Sequence, residues 1–411
     1  MQKILIYSII SILERRNTMK IISINAGSSS LKFSLFNMEN KELLISGYFE
    51  RIGMEGSFVN FKLNGEKIRK DVDLKDHEAA VKVLIDELIN LKVINSLDEI
   101  DAVGHRLVHG GDIYNKSVII DDEVINKVEE LSDLAPLHNP ANLVGVKSFK
   151  SVLKDVPMVG VFDTAFHQTM EQEAYLYGVP YEWYTKYGVR KYGFHGTSHN
   201  YVTKTIAEYL GRNDLKIICC HLGNGSSISA VKNGKCIDTS MGFTPNAGLI
   251  MGTRSGDIDA TLIPYVMKKS GKTLDEVMND LNKNSGLLGI SGVSSDNRDI
   301  EDGIKNGNER CILAQKLLIR KIVGYISMYN TYLDGADVIC FTGGIGENGI
   351  DVRKEIMEQL KVIGVNPSDE RNNIRGELTL ITNDDSKIAC YVVPTNEELM
   401  IAEDTYKLVN Q

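Results

Sequence analysis

Six short segments place charged or imidazole side chains in surroundings that are apolar or rich in glycine. An arginine offers a rigid fork of donors that fits a carboxylate or a phosphate, and a histidine offers two ring nitrogens. Taken alone, each residue is as well explained by packing or by a surface ion pair as by a functional role. Their recurrence favours one shared chemical role. The segments are Gly104–Gly111, Ala135–Pro140, Val161–His167, Tyr192–His199, Met251–Asp257 and Pro394–Glu398.

Two serine-rich turns repeat one pattern in the two halves of the chain. Gly27–Ser29 and Gly225–Ser227 each stand between an apolar strand and an alternating strand. Either turn alone is an ordinary hairpin. Small turn residues let backbone N–H groups approach an anion, and serine hydroxyls add donors. As a pair, the turns indicate two related domains that face each other across a cleft and clamp a polyphosphate.

Familiar nucleotide and hydrolase motifs explain little of this chain. Ser270–Thr273 ends like a P-loop, but Val266 stands where that motif needs glycine. Gly344–Gly349 matches G-x-G-x-x-G, yet it lies too near the C-terminus for a dinucleotide-binding domain, although such a loop can lie under a nucleotide. No G-x-S-x-G elbow occurs. His195 and His199 lie one helical turn apart without the carboxylate of H-E-x-x-H, and that pair alone fits a structural or a functional role equally.

The elements that must position these residues alternate between strand and helix, which predicts an α/β fold. Apolar spacing predicts helices over 76–91 and 309–329. Runs of strand length lie at 20–24, 31–36, 102–108, 157–162, 216–220, 227–232 and 336–341.

Composition bounds the class of protein. The chain has 411 residues, 43% of them hydrophobic, which predicts two globular domains. Its net charge of −9, without a dense run of Lys or Arg, argues against nucleic acid and membrane partners. Six cysteines without a C-x-x-C pair predict buried thiols in a reducing, cytoplasmic setting. Residues 1–18 lack a signal-peptide cleavage site, and we expect them to be a dispensable extension before Met19.

Two stretches of the chain resemble the signature sequences of the acetokinase family. They are Asn25–Phe33, which reads NAGSSSLKF, and Gly193–His199, which reads GFHGTSH. The resemblance covers residues 19–411, and residues 1–18 are the one departure. Five further segments resemble the family in the same order: Gly104–Gly111, Val161–His167, His221–Gly225, Gly252–Gly256 and Gly343–Glu347.

The resemblance implies the architecture of actin, sugar kinases and heat-shock ATPases. This is an α/β fold of two duplicated actin-like, or ribonuclease H-like, domains with an interdomain active-site cleft. The first domain would comprise residues 19–163 plus 395–411. The second, nucleotide-binding domain would comprise residues 164–394.

For activity, the resemblance implies reversible transfer of the γ-phosphoryl group of ATP to acetate by direct in-line attack, giving acetyl phosphate and ADP. The cofactor would be Mg²⁺, with Mn²⁺ as a substitute, and the protein would be a homodimer. A carboxylate nucleophile is already ionised at neutral pH, so the chemistry needs charge neutralisation and alignment more than a general base. Propionate, or short carboxylates in general, is the alternative acceptor. A sugar or glycerol kinase and an ATP-gated chaperone module on the same fold are more distant alternatives.

The resemblance also assigns residues to roles. Arg106 would face acetate and the transferring group, Arg254 would span the phosphoryl oxygens, and His195 would donate a hydrogen bond in the transition state. Asp163 would orient Arg106, position magnesium or handle protons. Asn25 and Glu397 match the magnesium positions, and Lys32 would lie beside the phosphate hairpin. The nucleotide would contact His221, Leu222, Gly223, Asn224, Gly225, Asp296, Asn297, Arg298, Gly343, Gly344, Ile345, Gly346 and Glu347. The acetate methyl would enter an apolar pocket of Val108, Leu137, Phe194 and Pro245.

Overall fold

A computed structural model describes residues 19–136 and 138–411, in which strands and helices alternate. The predictions for residues 1–18 and for Leu137 lie outside the described residues. The strands are β1 Lys20–Ala26, β2 Ser30–Asn37, β3 Glu42–Glu50, β4 Phe58–Leu63, β5 Glu66–Asp71, β6 Ala102–Leu107, β7 Val118–Ile119, β8 Met158–Phe162, β9 Lys216–Leu222, β10 Ser226–Lys232, β11 Lys235–Thr239, β12 Val338–Thr342, β13 Thr379–Leu380 and β14 Ala389–Val392.

The helices range from single turns to one of six turns. They are α1 His77–Asn90, α2 Asp122–Glu130, α3 Asn139–Val152, α4 Gln172–Tyr175, α5 Tyr181–Tyr187, α6 Gly196–Leu210, α7 Leu262–Ser270, α8 Leu274–Lys283, α9 Gly286–Ser291, α10 Asn297–Lys305, α11 Glu309–Tyr332, α12 Gly343–Asn348, α13 Ile350–Gln359, α14 Asp369–Asn372 and α15 Glu397–Val409.

The described chain divides into two compact units. Unit 1 contains the residues up to Ala165 together with Asn396–Gln411, and unit 2 contains Phe166–Thr395. Unit 1 has one sheet in the order β5-β4-β3-β2-β1-β6-β8-β7. Unit 2 has one sheet in the order β11-β10-β9-β12-β14-β13.

The central strands of each sheet are buried on both faces, as their continuous apolar runs require. In unit 1, Ile22 and Ile24 of β1 belong to the large core that also contains residues of α1 and α3. Ile21 points the other way and packs with Ala402 of α15. In unit 2, Ile218 and Cys220 of β9 pack in the core that contains α11, whereas Ile217 and Cys219 pack with Val202 of α6.

The two units share one strand order around an antiparallel hairpin. β1 pairs antiparallel with β2 and parallel with β6, and β6 pairs parallel with β8. In the same way, β9 pairs antiparallel with β10 and parallel with β12, and β12 pairs parallel with β14. The fold class predicted above, α/β with two duplicated actin-like domains, is confirmed. The repeated Gly-Ser-Ser turns mark the β1–β2 and β9–β10 hairpins.

Several local predictions can be compared with the structure. The helix predicted at 76–91 begins at His77, because Asp76 is its N-cap and accepts from the Ala79 N–H at 2.8 Å. The P-loop-like stretch Ser270–Thr273 connects two helices. Gly271 is the C-cap of α7, and Thr273 is the N-cap of α8 and forms a capping box. All six cysteines are free and buried, as predicted. Among the described residues, no helix is long and apolar enough to cross a membrane.

Candidate active site

In unit 1, the fork of Arg106 is held by a buried carboxylate. Arg106 lies on β6, and Asp163 follows the neighbouring strand β8. The Arg106 Nε donates to both Asp163 oxygens at 3.1 Å, Nη2 donates to Oδ2 at 2.5 Å, and Nη1 reaches the Asn25 Oδ1 at 3.3 Å. Burial alone would lower the pKa of Arg106, but the charge and hydrogen bonds of Asp163 outweigh it and raise that pKa. Arg106 is therefore a fixed, permanently charged donor.

Glu397 stands in the first turn of α15, close to the same charges. Burial, with the negative charges of Asp163 and Glu398, raises the pKa of Glu397 to about 7, against the opposing effect of Arg106 and Lys32. The helix can approach β6 closely because Gly104 has no side chain, and a Cβ there would lie 2.3 Å from the Thr405 Oγ1. Gly104 of β6 thus allows α15 to place the Glu397 carboxylate close to Arg106.

A cavity of 560 Å³ opens beside Arg106 in unit 1. Val108 lies in its wall, with its N–H bonded to the Asn142 Oδ1 at 3.0 Å. Lys32 is opposite Asn25 across the β1–β2 hairpin and forms an ion pair with Glu398. The cavity is lined by Asn25, Ala26, Gly27, Ser30, Leu31, Lys32, Tyr48, Glu50, Arg106, Val108, His138 and Asn142.

In unit 2, His195 and Arg254 converge on the turn between β9 and β10. A Cβ built on Gly225 would lie 3.3 Å from the His195 Nε2 and 3.5 Å from the Arg254 Nη1. His195 caps α6 in the left-handed region, with φ of 58°, and its Nδ1 bonds the Ser227 Oγ at 2.9 Å. Burial lowers the pKa of Arg254. Within the described chain, Arg254 forms no ion pair, so its positive charge is uncompensated.

The loop that carries Arg254 packs closely against the turn between β9 and β10. The Gly252 N–H donates to the Asn224 carbonyl at 2.9 Å, and the Asn224 side chain fills the place of a Gly252 Cβ, with Oδ1 1.7 Å from that position. Gly286 has φ of +63°, and a Cβ there would lie 2.1 Å from the Met251 carbonyl. Glycines at these two positions therefore let the Arg254 loop pack closely, on the Asn224 side chain at Gly252 and against the residue 286 backbone at Gly286.

Seven of the predicted nucleotide residues line one cavity of 660 Å³ in unit 2, formed by the β9–β10 turn, the start of α10 and the start of α12. Five other residues complete its wall. The predicted members are Gly223, Asn224, Asp296, Asn297, Arg298, Gly344 and Ile345. The members that sequence reasoning missed are Ser295, Glu301, Asn348, Gly349 and Arg375.

The remaining predicted residues of unit 2 do not line these cavities. The His221 ring stacks at 4.3 Å from the His195 ring. Glu347 joins two backbone segments, because its Oε1 accepts from the N–H groups of Gly343 at 2.9 Å and of Thr395 at 3.1 Å. Gly343 has φ of +76° and abuts the backbone of Leu222, and Gly346 packs on Phe341. Phe194 is buried and Pro245 half-buried, both in unit 2. The apolar acetate pocket stays a prediction.

Comparisons with known proteins show the family of this chain. The acetokinase family model matches residues 20–403. The acetate kinase of Bacillus subtilis (strain 168) is 55% identical over 391 residues, which cover 95% of this chain and 99% of that protein. The chain belongs to the acetokinase family. Among solved structures, Porphyromonas gingivalis acetate kinase has a TM-score of 0.92 at 46% identity, and a Francisella tularensis propionate kinase has 0.90 at 40%; each match covers 95% of this chain and 100% of the other.

Only residues within the motifs of the acetokinase family were predicted as site residues, so residues outside those motifs were missed. His138 lines the unit 1 cavity and stood in the segment Ala135–Pro140, whose concentration of polar side chains was its only signal. Arg375 stands in no motif at all. His199, Ser227 and Ser229 form hydrogen bonds behind His195 that spacing alone does not reveal.

Proposed function

We propose that this protein acts as an acetate kinase, transferring the γ-phosphoryl group of ATP reversibly to acetate. The observation that carries the proposal is the uncompensated positive charge of Arg254 beside the His195 Nε2 at the Gly225 turn. A phosphoryl group in transfer carries negative charge on its equatorial oxygens, so catalysis depends on donors placed around it beforehand. Membership of the acetokinase family and the likeness to proteins called acetate kinases support acetate as the acceptor.

On the acceptor side, Arg106 receives the acetate carboxylate. Nε and Nη2 are committed to Asp163, and this fixes the plane of the guanidinium for the approaching acetate. Val108 supplies apolar surface in the same cavity for the methyl group. The acetate oxygen forms the new bond to phosphorus while the bond to the ADP oxygen breaks. No proton has to be removed from the nucleophile, because acetate is ionised at neutral pH.

On the donor side, ATP occupies the cavity lined by Asn224, Asp296 and Gly344. Gly344 has no protein atom within 4 Å of a Cβ position, which leaves its backbone open to a ligand. His195 and Arg254 then lie at the phosphate end, at the turn of Gly225. They stabilise the oxygens of the γ-phosphoryl group as charge moves during transfer.

The residues around Glu397 fit Mg²⁺. Asp163, Glu397 and Glu398 outnumber Arg106 and Lys32 by one charge when all are ionised. Burial first, and then the charges of Asp163 and Glu398, raise the pKa of Glu397, and a bound cation would oppose both effects. The Asn25 Oδ1 already accepts from Arg106, and a carbonyl oxygen keeps a second lone pair. No group of three His, Cys, Asp or Glu side chains among the described residues forms a metal site by itself. Mg²⁺, or Mn²⁺ in its place, would neutralise phosphate charge while ATP and water supply most of its ligands.

The decisive experiment traps acyl phosphate with hydroxylamine. The purified chain receives ATP, Mg²⁺ and either acetate, propionate or butyrate at equal concentration. We expect the highest rate with acetate and slower reaction with propionate, because one methylene changes apolar binding by about 1 to 3 kcal/mol. Arg254→Ala should remove most of the product, and Arg69→Ala, which removes an exposed arginine on β5, should keep it.

Absence of acyl phosphate from all three acids would overturn the proposal, and a preference for propionate would change the acceptor. ADP release that depends on a carbohydrate would favour a sugar kinase.

We also propose a cytoplasmic homodimer. Free, buried cysteines suit a reducing compartment. Helices α7 and α8 expose Leu262, Tyr265, Leu274 and Met278, which is apolar surface of the kind that pairing covers. Sedimentation equilibrium tests the proposal: a mass of one chain at micromolar concentration would contradict it.

A further inference from the structure

A line of buried hydrogen bonds runs behind His195. Its Nδ1 lies 2.9 Å from the Ser227 Oγ, and the same oxygen lies 2.7 Å from the His199 Nε2. The His199 Nδ1 lies 2.9 Å from the Ser229 Oγ. His199 follows His195 by one turn of α6, and the two serines alternate along β10 on one face. His199, Ser227 and Ser229 are fully buried.

The number of protons on these side chains determines which group donates in each hydrogen bond of the line. Each hydroxyl donates one proton, and a neutral imidazole has one donor and one acceptor nitrogen. Among the described residues, the Ser229 hydroxyl has one side-chain hydrogen-bond partner, the His199 Nδ1, so it satisfies its proton by donating there. His199 must then donate from Nε2 to Ser227, and Ser227 must donate to the His195 Nδ1. In the reverse direction the buried Ser229 proton would have no acceptor within the described part of the chain, which is unfavourable for a buried hydroxyl.

The surroundings keep His199 neutral, as this arrangement requires. Burial, together with the charges that His167 and His221 could carry, lowers the pKa of His199 well below its ordinary value. The His167 and His221 rings lie 5.6 and 6.3 Å from the His199 ring. Around His195, the neighbouring ionisable groups are His221, with ring centroids 4.3 Å apart, and Arg254 across Gly225.

We propose that Ser227, His199 and Ser229 are positioning residues that hold neutral His195 in the tautomer whose proton is on Nε2. That proton is carried by the nitrogen near Gly225, beside the Arg254 guanidinium. His195 is then a hydrogen-bond donor toward phosphate oxygens without first becoming an imidazolium. The catalytic part of this inference rests on the proposed phosphoryl transfer, but the tautomer does not.

The direct test is a ¹⁵N–¹H correlation spectrum of the full chain labelled at histidine, recorded at pH 8. His195→Gln identifies the His195 signals by their loss. We expect the His195 Nδ1 to have the chemical shift of an unprotonated ring nitrogen and Nε2 that of a protonated one. A protonated Nδ1 with an unprotonated Nε2 would overturn the proposal without the need for any serine variant.

Kinetics test whether the line matters for turnover. In Ser227→Ala, His195 is free to populate both tautomers, so we expect kcat to fall about 10-fold at pH 8, less than for loss of a whole donor, while KM for ATP stays unchanged. The deficit should shrink as pH is lowered from about 8 to 6, because an imidazolium carries a proton on both nitrogens. Ser227→Thr, which keeps the hydroxyl, should recover most of the rate.

The matched control is Ser240→Ala. It removes another buried hydroxyl of the same unit, one that accepts from the Ile228 N–H at 2.9 Å and has no part in the line. Its kcat should show no pH-dependent deficit. A loss in Ser227→Ala that is equal at every pH, or that Ser240→Ala shares, would overturn the positioning role. If the parent forms no acyl phosphate at all, the proposed function fails, and the spectrum still decides the tautomer.

Discussion

Two arginines of equal charge lie in opposite electrostatic surroundings. Arg106 is bound along its fork by the carboxylate of Asp163, which is 1% exposed. Arg254 contacts the Met251 sulfur at 3.6 Å, and its pKa is lowered by burial rather than raised by a partner. Residue types alone do not reveal this difference, since both arginines stand in segments that contain several glycines. The structure assigns Arg106 a structural duty in addition to any catalytic one.

The first prediction contrasts Arg254→Ala with Arg106→Ala. Arg254→Ala removes a half-buried, uncompensated charge, so the free energy of unfolding should stay within about 1 kcal/mol of the parent while kcat falls roughly 100-fold or more. Arg106→Ala leaves Asp163 buried without its partner and should cost about 3 kcal/mol of stability as well as activity. Urea unfolding and the hydroxylamine assay on the same preparations measure both quantities. Equal destabilisation by the two variants would contradict this distinction.

At the scale of elements, glycines set how closely the loops of the site approach one another. Gly104 admits α15 to β6, and Gly252 admits the Asn224 side chain. Gly344 differs from both, because no described residue lies within 4 Å of its Cβ position although it lines the 660 Å³ cavity of unit 2, which is proposed above as the nucleotide cavity. The free space at Gly344 is therefore open to the nucleotide that we propose for this cavity.

The second prediction follows from that space. Gly344→Ala should leave the melting temperature unchanged or slightly higher, since alanine favours a helix by up to about 1 kcal/mol over glycine. Its methyl group would occupy the nucleotide cavity, so KM for ATP should rise about 10-fold with KM for acetate unchanged. Gly324→Ala is the matched control, because Gly324 lies in α11 and also has nothing within 4 Å. An unaltered KM for ATP in Gly344→Ala would place the nucleotide elsewhere.

Across the whole molecule, the sequence predicted most of the strands that are buried on both faces, although β14, Ala389–Val392, was missed. Continuous apolar runs marked β1, β6, β8, β9 and β12, and the repeated turn revealed the duplication. It did not predict β5, Glu66–Asp71, which has no buried residue, so no apolar run marks it. Residues such as Arg375 reach the nucleotide cavity through tertiary packing. No local pattern encodes that packing.

The last prediction concerns acid stability, which depends on histidines buried as neutral rings. Burial lowers the pKa of His105 to about 3, from an ordinary 6.5, and its ring packs edge-on against Phe149 at 5.4 Å. Between these two pKa values the unfolded chain binds a proton at this site that the folded chain excludes. The contribution of His105 to stability is thus complete above pH 6.5 and declines as pH falls toward 3, by about 1.4 kcal/mol per pH unit. His105→Leu cannot titrate, so its free energy of unfolding in urea should depend less steeply on pH between about 6 and 4, by close to one proton. Parallel pH profiles for the variant and the parent would mean that His105 takes up its proton in the folded state.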